Sequence, residues 1–428
     1  MTYTSAHDAV RHAEQCPIHE LVPMHPELLR CPYGMNRRLR SEAPVFRDPA
    51  SGIWFISRHE DVVAMAQDPE TFSSVMPAAM SRATASDDPD MRAVMAESYP
   101  NVPTMLTQDP PLQRRYRKFV DGAFGPANLR ALEPFIDATS NHLIDGFIDA
   151  GQCNFLEAFG IPLPLRVIAS QIGTPEADLP RLRAWTEAFI GNLSQQLDRD
   201  GQLAAAKGIL EFQRYFVQRM DERRAEPRDD ILSKVVNASI DGEKPLDNAE
   251  CLSMLSQILV AGNETTAASL TEGIWLLIDN PDQYALLEAD HGPEMISRFV
   301  EEVLRISSPS SNMFRRTTRD VTLHGVTIPA NSVCFARFAS ANHDERVFDD
   351  PLRFDIQRDN LRQHVAFGIG IHHCLGAALA RREMNIAFRV IFERLKNFRL
   401  ADGASPPTFA PNALLHGMLG LHVAFERR

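Results

Sequence analysis

Apolar side chains recur at three- and four-residue intervals along most of this chain, which predicts helices with one buried face. Residues 1–24 lack the rhythm and read as a flexible lead-in. Glu27 to Arg40 suits a short helix, and Arg58 to Gln67 another. Between them, the apolar runs Pro44–Arg47 and Ile53–Ile56 flank Asp48-Pro49-Ala50-Ser51-Gly52, a hairpin signal. Residues 74–107 lose the periodicity and hold Pro, Asp and Ser beside Met76, Met80, Met91, Met95 and Met105. Methionine adapts to varied apolar partners, so this segment reads as a lid over an apolar pocket or as a surface loop with incidental methionines. Helical patterning resumes from Pro111 to Gly242, broken at Gly125-Pro126, Gly151, Gly173-Thr174-Pro175 and Gly191. Pro245 to Asn280 predicts one long helix with no basic residue, apolar nearly all round its middle and stopped by Pro281; such a helix crosses a core. Pro293–Ile306 and Leu375–Leu395 predict two more helices. Residues 321–338 predict short strands about Gly325 and Pro329, and 399–428 strands and turns.

Composition narrows the class. The chain has 428 residues, 44% hydrophobic and 23% charged, ample for a large core. Its net charge of −12 favours solubility and argues against nucleic-acid binding. Six cysteines, none in a Cys-x-x-Cys pair, point to a reducing setting and not to a disulfide framework. Met1 to Glu20 carries no apolar run, so neither signal peptide nor membrane anchor is expected, and a soluble cytoplasmic protein is.

The densest chemical signal is Phe367-Gly368-Ile369-Gly370-Ile371-His372-His373-Cys374-Leu375-Gly376, just before the last predicted helix. Glycines let backbone approach a flat group closely. Free N–H groups and the positive dipole end of a helix favour a thiolate. A thiolate is a soft iron ligand that promotes O–O cleavage in haem enzymes. A small buried thiol, or a zinc site using His372, His373 and Cys374, are the alternatives; three adjacent ligands strain a tetrahedron. The segment resembles the haem-binding signature of the cytochrome P-450 family, Phe-Gly-x-Gly-x-His-x-Cys-x-Gly, followed here by Leu379-Ala380-Arg381. The resemblance implies that Cys374 is the axial iron ligand, that His372 hydrogen-bonds a haem propionate, and that Phe367, Gly368 and Gly376 belong to the haem-binding loop.

The long helix carries Ala261-Gly262-Asn263-Glu264-Thr265-Thr266 at mid-length. Glycine costs a helix about 1 kcal/mol against alanine, and a buried carboxylate is costly unless paired or titrated. Such choices in one turn point to function, unless the turn is a polar surface stripe. The segment resembles the family's oxygen-activation motif, which implies Thr265 as proton-relaying alcohol and Glu264 as the acid. Glu stands where Asp is more frequent in the bacterial members, and it is one methylene longer.

Other matches support the same family. Glu302 and Arg305 fit its Glu-x-x-Arg motif, and Pro351-Leu352-Arg353-Phe354 implies Arg353 as the third member of a buried structural triad. Glu301 has the wrong spacing to Arg305 and reads as a decoy. Asp109-Pro110-Pro111-Leu112-Gln113-Arg114-Arg115-Tyr116-Arg117 resembles Asp-Pro-Pro-x-His-x-x-x-Arg, implying Arg117 as a propionate partner, with Gln113 in place of the usual His. Arg315, five residues before Asp320, matches the other propionate arginine; Arg316 is the adjacent, exposed alternative. Arg114, Arg115 and Lys118 form a basic cluster, either an ordinary solvated face or, by resemblance, the site that meets an acidic ferredoxin.

The resemblance runs from Asp109 to Arg381 in family order. It implies a mainly α fold, a helical prism with small β-sheets, with haem b (iron protoporphyrin IX) between the long central helix and the cysteine-loop helix. Residues 25–428 are then a single haem-thiolate monooxygenase domain, expected to be a monomer. The implied reaction puts one oxygen atom of O2 into a small lipophilic substrate such as a terpenoid, steroid or aromatic. Electrons would come from a separate 2Fe-2S ferredoxin and ferredoxin reductase. The rivals are a peroxide-using peroxygenase, which would lose the acid–alcohol pair, and a haem-binding sensor, which would not need it. Substrate contacts are expected from 76–105, 185–193, 258–262, 308–314 and 412–419.

Overall fold

The computed structural model describes residues 15–76, 87–194, 197–238 and 245–428. Helices dominate, with small sheets, and the chain divides into two compact units.

The first unit comprises Met1–Ser73, Glu133–Leu163 and Glu264–Arg428. Its largest sheet has five strands in the order Val45–Arg47, Trp54–Ile56, Val333–Ala336, Met313–Thr317, Phe72–Ser73. The first two form the predicted antiparallel hairpin, with Val45 opposite Ile56. Trp54–Ile56 then runs parallel to Val333–Ala336, a pairing of distant segments that only the fold reveals. Two smaller sheets join Gln152–Asn154, His422–Arg427 and Leu395–Leu400, and pair Val321–Leu323 with Val326–Ile328. The expected helix over Glu27–Arg40 is two helices, Pro26–Arg30 and Tyr33–Glu42. Pro32 explains the break: it lacks an N–H, and it disfavours helical backbone in the residue before it.

The helices Pro293–Ser307 and Ala377–Arg394 pack against the C-terminal part of the long helix Asn248–Asp279. Phe299, Phe388 and Phe392 form their shared core, with Phe299 and Phe388 centroids 4.7 Å apart, edge to face. At Gly273 the approach is close enough that a Cβ would lie 2.6 Å from Phe388 Cζ.

The second unit comprises Ser74–Leu132 and Pro164–Asn263. Residues 74–107, expected to be irregular, contain the helix Pro89–Glu97. Asp88 caps it, accepting from the amides of Asp90 and Met91, and proline follows at the first helical position. Arg199 pairs with Asp88 and Asp90, and Gln213 holds Tyr99 through both backbone groups. Met76, Met91, Met95 and Met105 are half-buried; Met80 lies outside the described residues. Gly191 does not break a helix but lies within Leu179–Ser194, where a Cβ would meet Leu197 at 2.9 Å. Among the described residues no helix is long and apolar enough to cross a membrane.

Candidate functional site: the cysteine loop and the central helix

Of the six cysteines, burial separates two. Cys16, Cys251 and Cys334 are buried and Cys153 is partly so; burial pushes the thiols of Cys153, Cys251 and Cys334 up to about 12. Cys31 and Cys374 are exposed. Cys31 merely ends a five-residue helix. Cys374 closes a loop built to hold it.

That loop is tied down by its own backbone and by a polar scaffold behind it. The Cys374 amide donates to the Phe367 carbonyl at 2.8 Å, and the His373 amide to Gly370 at 3.0 Å. The Cys374 carbonyl accepts from Ala377, the first residue of the following helix, whose cap is Gly376. A Cβ on Gly376 would touch the Cys374 sulfur at 4.0 Å. Gly370 has φ +76°, and a Cβ there would lie 2.5 Å from the Ala66 carbonyl oxygen, so the loop crosses the end of the helix His59–Gln67 where no side chain fits. Gly368 also has positive φ, +65°. Behind the loop the Asn342 side chain accepts from the Val365 amide at 2.7 Å.

Glu301 is no decoy. It accepts from Arg381 at 2.6 and 3.0 Å and lies 2.9 Å from His364 Nε2. Burial by itself would raise its carboxyl, but hydrogen bonds from His364 and Arg381 win and hold it down at about 2. Arg381 also covers the Phe367 ring at 4.4 Å. One carboxylate thus links the Pro293–Ser307 helix to both ends of the cysteine loop.

Glu302 and Arg305 form the predicted pair, completely buried, through parallel bonds of 2.7 and 2.8 Å. The expected third member is corrected: Arg353 is exposed and offers Arg305 only its backbone carbonyl. Arg358 is the buried partner, with Nε 3.4 Å from Glu302 Oε1 and further bonds to the carbonyls of Asp349, Asp350 and Arg353. The sequence motif ends too early to reach it.

The remaining candidate residues lie on the central helix, on the strand Met313–Thr317, in the cysteine loop and on the helix Leu112–Val120. On the central helix Asn263, Thr266 and Ala267 are buried, while Glu264, Thr265 and Ala268 are half-exposed. The acid and the alcohol thus lie on the accessible side of a helix whose flanks are buried. Arg315 sits mid-strand, 6% exposed, bonding the Phe314 carbonyl, while Arg316 bonds Asn331. His372 ends a short turn of helix and is half-exposed. In the second unit Gln113 is buried on the helix Leu112–Val120, and Arg117 lies 3.6 Å from Asp121. Arg115 is committed to Glu250, which leaves Arg114 and Lys118 as the exposed basic pair.

Comparison with known proteins settles the family. The model described as "Cytochrome P450" matches residues 294–421. "Putative cytochrome P450 123" of Mycobacterium tuberculosis is 34% identical over 371 residues, 87% of this chain and 89% of that protein. The chain belongs to the cytochrome P450 family. "Steroid C26-monooxygenase" of the same organism is 31% identical over 389 residues, covering 91% of this P450 and 92% of the relative. The solved structure of cytochrome P450 CYP109Q5 from Chondromyces apiculatus superposes with a TM-score of 0.84 at 32% identity, over 96% of this chain and all of the other. The protein is therefore a P450 monooxygenase, with haem on a cysteine thiolate as its cofactor. The residues present fit that group: an exposed sulfur beside Gly376, where no side chain intervenes, and a buried arginine, Arg315, in the same unit.

Proposed function

We propose that this P450 hydroxylates a small lipophilic molecule, with Cys374 as the iron ligand and with electrons from a separate ferredoxin and reductase. The observation that carries the assignment is the exposure of Cys374 at the end of a glycine loop whose backbone and Glu301 scaffold hold it in place. Bound haem supplies the iron at which dioxygen is activated, one oxygen atom entering the substrate and the other leaving as water.

The protein residues do the rest. Cys374 Sγ would hold the iron as a thiolate, the form that a place before a helix N-terminus favours. Arg315 and His372 would donate to the propionates; on the resemblance alone, Gln113 and Arg117 would be further donors. A guanidinium binds both oxygens of a carboxylate in a fixed fork, so lysine would not replace Arg315. Thr265 Oγ1 gives up a proton toward the oxygen site, and Glu264 restores it. This acid–alcohol pair favours dioxygen over peroxide as oxidant, and it argues against a sensor. Glu301, Glu302, Arg305 and Arg358 act as positioning residues behind the loop.

The substrate class rests on the apolar character of the expected contact segments and on the relative named as a steroid C26-monooxygenase. Arg114 and Lys118, exposed one helical turn apart, are the proposed contacts for an acidic ferredoxin. A cytoplasmic location, a monomeric state and one domain over residues 25–428 belong to the same reading, on the sequence alone.

The deciding experiment is Cys374→Ser. The red-shifted Soret band of the reduced, carbon-monoxide-bound protein should disappear, and its survival would place the ligand elsewhere.

A further inference from the structure

Two turns beyond Thr265 the central helix carries an acid for which the proposed reaction has no role. Glu272 is 2% exposed, and its Oε2 has no hydrogen-bond partner among the described residues. Burial pushes its carboxyl up to about 8, so at neutral pH it holds a proton. Seven residues at about 3.6 per turn make nearly two turns, so Glu272 and Thr265 share a face, about 10 Å apart along the axis. Ser269 stands between them, four residues after Thr265 and three before Glu272, the spacings at which side chains on one helix face are neighbours. Ser269 is buried, and its hydroxyl lies 3.5 Å from that of Ser307.

Opposite Glu272 is His416. Its Nδ1 lies 3.9 Å from Glu272 Oε2, its ring stacks on Phe409 at 4.2 Å, and its Nε2 has no hydrogen-bond partner among the described residues. Burial lowers the imidazole to about 4, against the pull of the Arg30 and Ser307 carbonyls, so it is neutral. The segment that carries His416 is held against the central helix. The His416 amide donates to Pro309 at 2.9 Å, Leu415 bridges to Ser310, and a Cβ on Gly417 would lie 3.6 Å from that of Ala268.

On its outer side His416 meets Tyr33, edge-on at 6.4 Å; Tyr33 also meets His343 at 5.2 Å and is itself half-buried. Burial, and after it the Glu272 carboxyl, raises the Tyr33 phenol. Of the other charged or titratable groups here, Arg305 is committed to Glu302, Arg40 pairs with Glu345, and His343 is held neutral by burial. None of these compensates Glu272. An acid and an imidazole each buried with an unused polar atom destabilise a fold, and such a cost is expected where function needs it.

We propose that Glu272 and His416 form a proton-loading pair for the oxygen site: Glu272 passes a proton along Ser269 to Thr265, and His416 reloads Glu272 from the Tyr33 side. Glu264 restores the first proton that Thr265 Oγ1 gives up and Glu272 the second, which leaves Glu272 briefly a carboxylate. His416 returns a proton to Glu272 and takes one that enters from solvent past Tyr33. One proton moves inward and no electron moves. The proposal rests on Thr265 being the relay alcohol.

Infrared difference spectra of the ferric holoprotein, wild type minus Glu272→Gln, test it without turnover. A protonated-carboxyl C=O stretch should be present at neutral pH and vanish as pH rises through about 8. Glu272→Gln and His416→Gln should each raise peroxide released per electron consumed several-fold and enlarge the solvent isotope effect on coupling, with Glu272→Asp restoring part of the coupling. The carbon-monoxide Soret band should stay unchanged in all three. No carboxyl band at neutral pH, or unchanged coupling in either glutamine variant, overturns the pair. Unchanged coupling in Thr265→Ala overturns the reading beneath it instead.

Discussion

Arg358 Nε lies 3.4 Å from Glu302 Oε1, at the side of a carboxylate already clamped by Arg305. Both residues are buried, so neither charge can fall back on water. Removing one partner of a buried ion pair costs about 3–5 kcal/mol, whereas an exposed surface change away from such features costs within about 0.5 kcal/mol. Arg358→Ala should therefore lower the unfolding midpoint sharply and weaken haem retention, and Arg353→Ala should do neither. Thermal melts of the two variants, with haem content per chain, decide between them. Equal effects would return the third place in the triad to Arg353.

Glu301 should mark acid unfolding. Its folded pKa of about 2 lies below the ordinary 4.5. The stabilisation is therefore fully present above about 4.5 and is lost as pH falls toward 2. Its size is on the order of 3 kcal/mol, from the shift and about 1.4 kcal/mol per unit. Denaturant unfolding at stepped pH should show Glu301→Gln less stable than wild type at neutral pH, with the gap narrowing on acidification across that window. A gap independent of pH would mean that the carboxylate's charge is not what the scaffold uses.

Gly370→Ala should fail at the loop without touching the chemistry. The new Cβ meets a backbone carbonyl at 2.5 Å, and the residue must keep φ +76°. Backbone strain of this kind costs about 1–3 kcal/mol before the clash is counted. Expected are reduced haem loading and a shifted Soret band. A fully loaded, spectrally normal variant would show that the loop can retreat from Ala66.

Thr265→Ala should separate electron use from product. The substitution is small, on the half-exposed side of the helix, so the fold should hold. Peroxide released per electron consumed should rise while the carbon-monoxide spectrum stays normal. Coupling equal to wild type would remove Thr265 from the proton path.

The hairpin at 45–56, the central helix and the cysteine loop were legible in the sequence because each depends on residue types at short spacing. The helix Pro89–Glu97 was not, although Asp88 and Pro89 are good start signals. Its apolar stripe is thin, with Val94 its one buried residue, and much of its anchoring is ion pairs from the distant Arg199. Gly191 misled for the opposite reason: glycine reads as a breaker, but here it makes room for Leu197.

By itself the sequence determined which chemistry this protein carries: a thiol framed by glycines, an acid beside an alcohol in an apolar helix, and a glutamate three residues before an arginine. Each is a local pattern, and local spacing places its members together on one turn or loop. Only the tertiary structure decided which distant groups complete them. Arg358 is separated from Glu302 by 56 residues, and Arg381 from Glu301 by 80; Glu272 and His416 come from a helix and from the C-terminal segment laid across it. Sequence spacing says nothing about such pairs, because what makes them matter is shared burial. Away from water, a charge or a proton has only the neighbours that the fold provides.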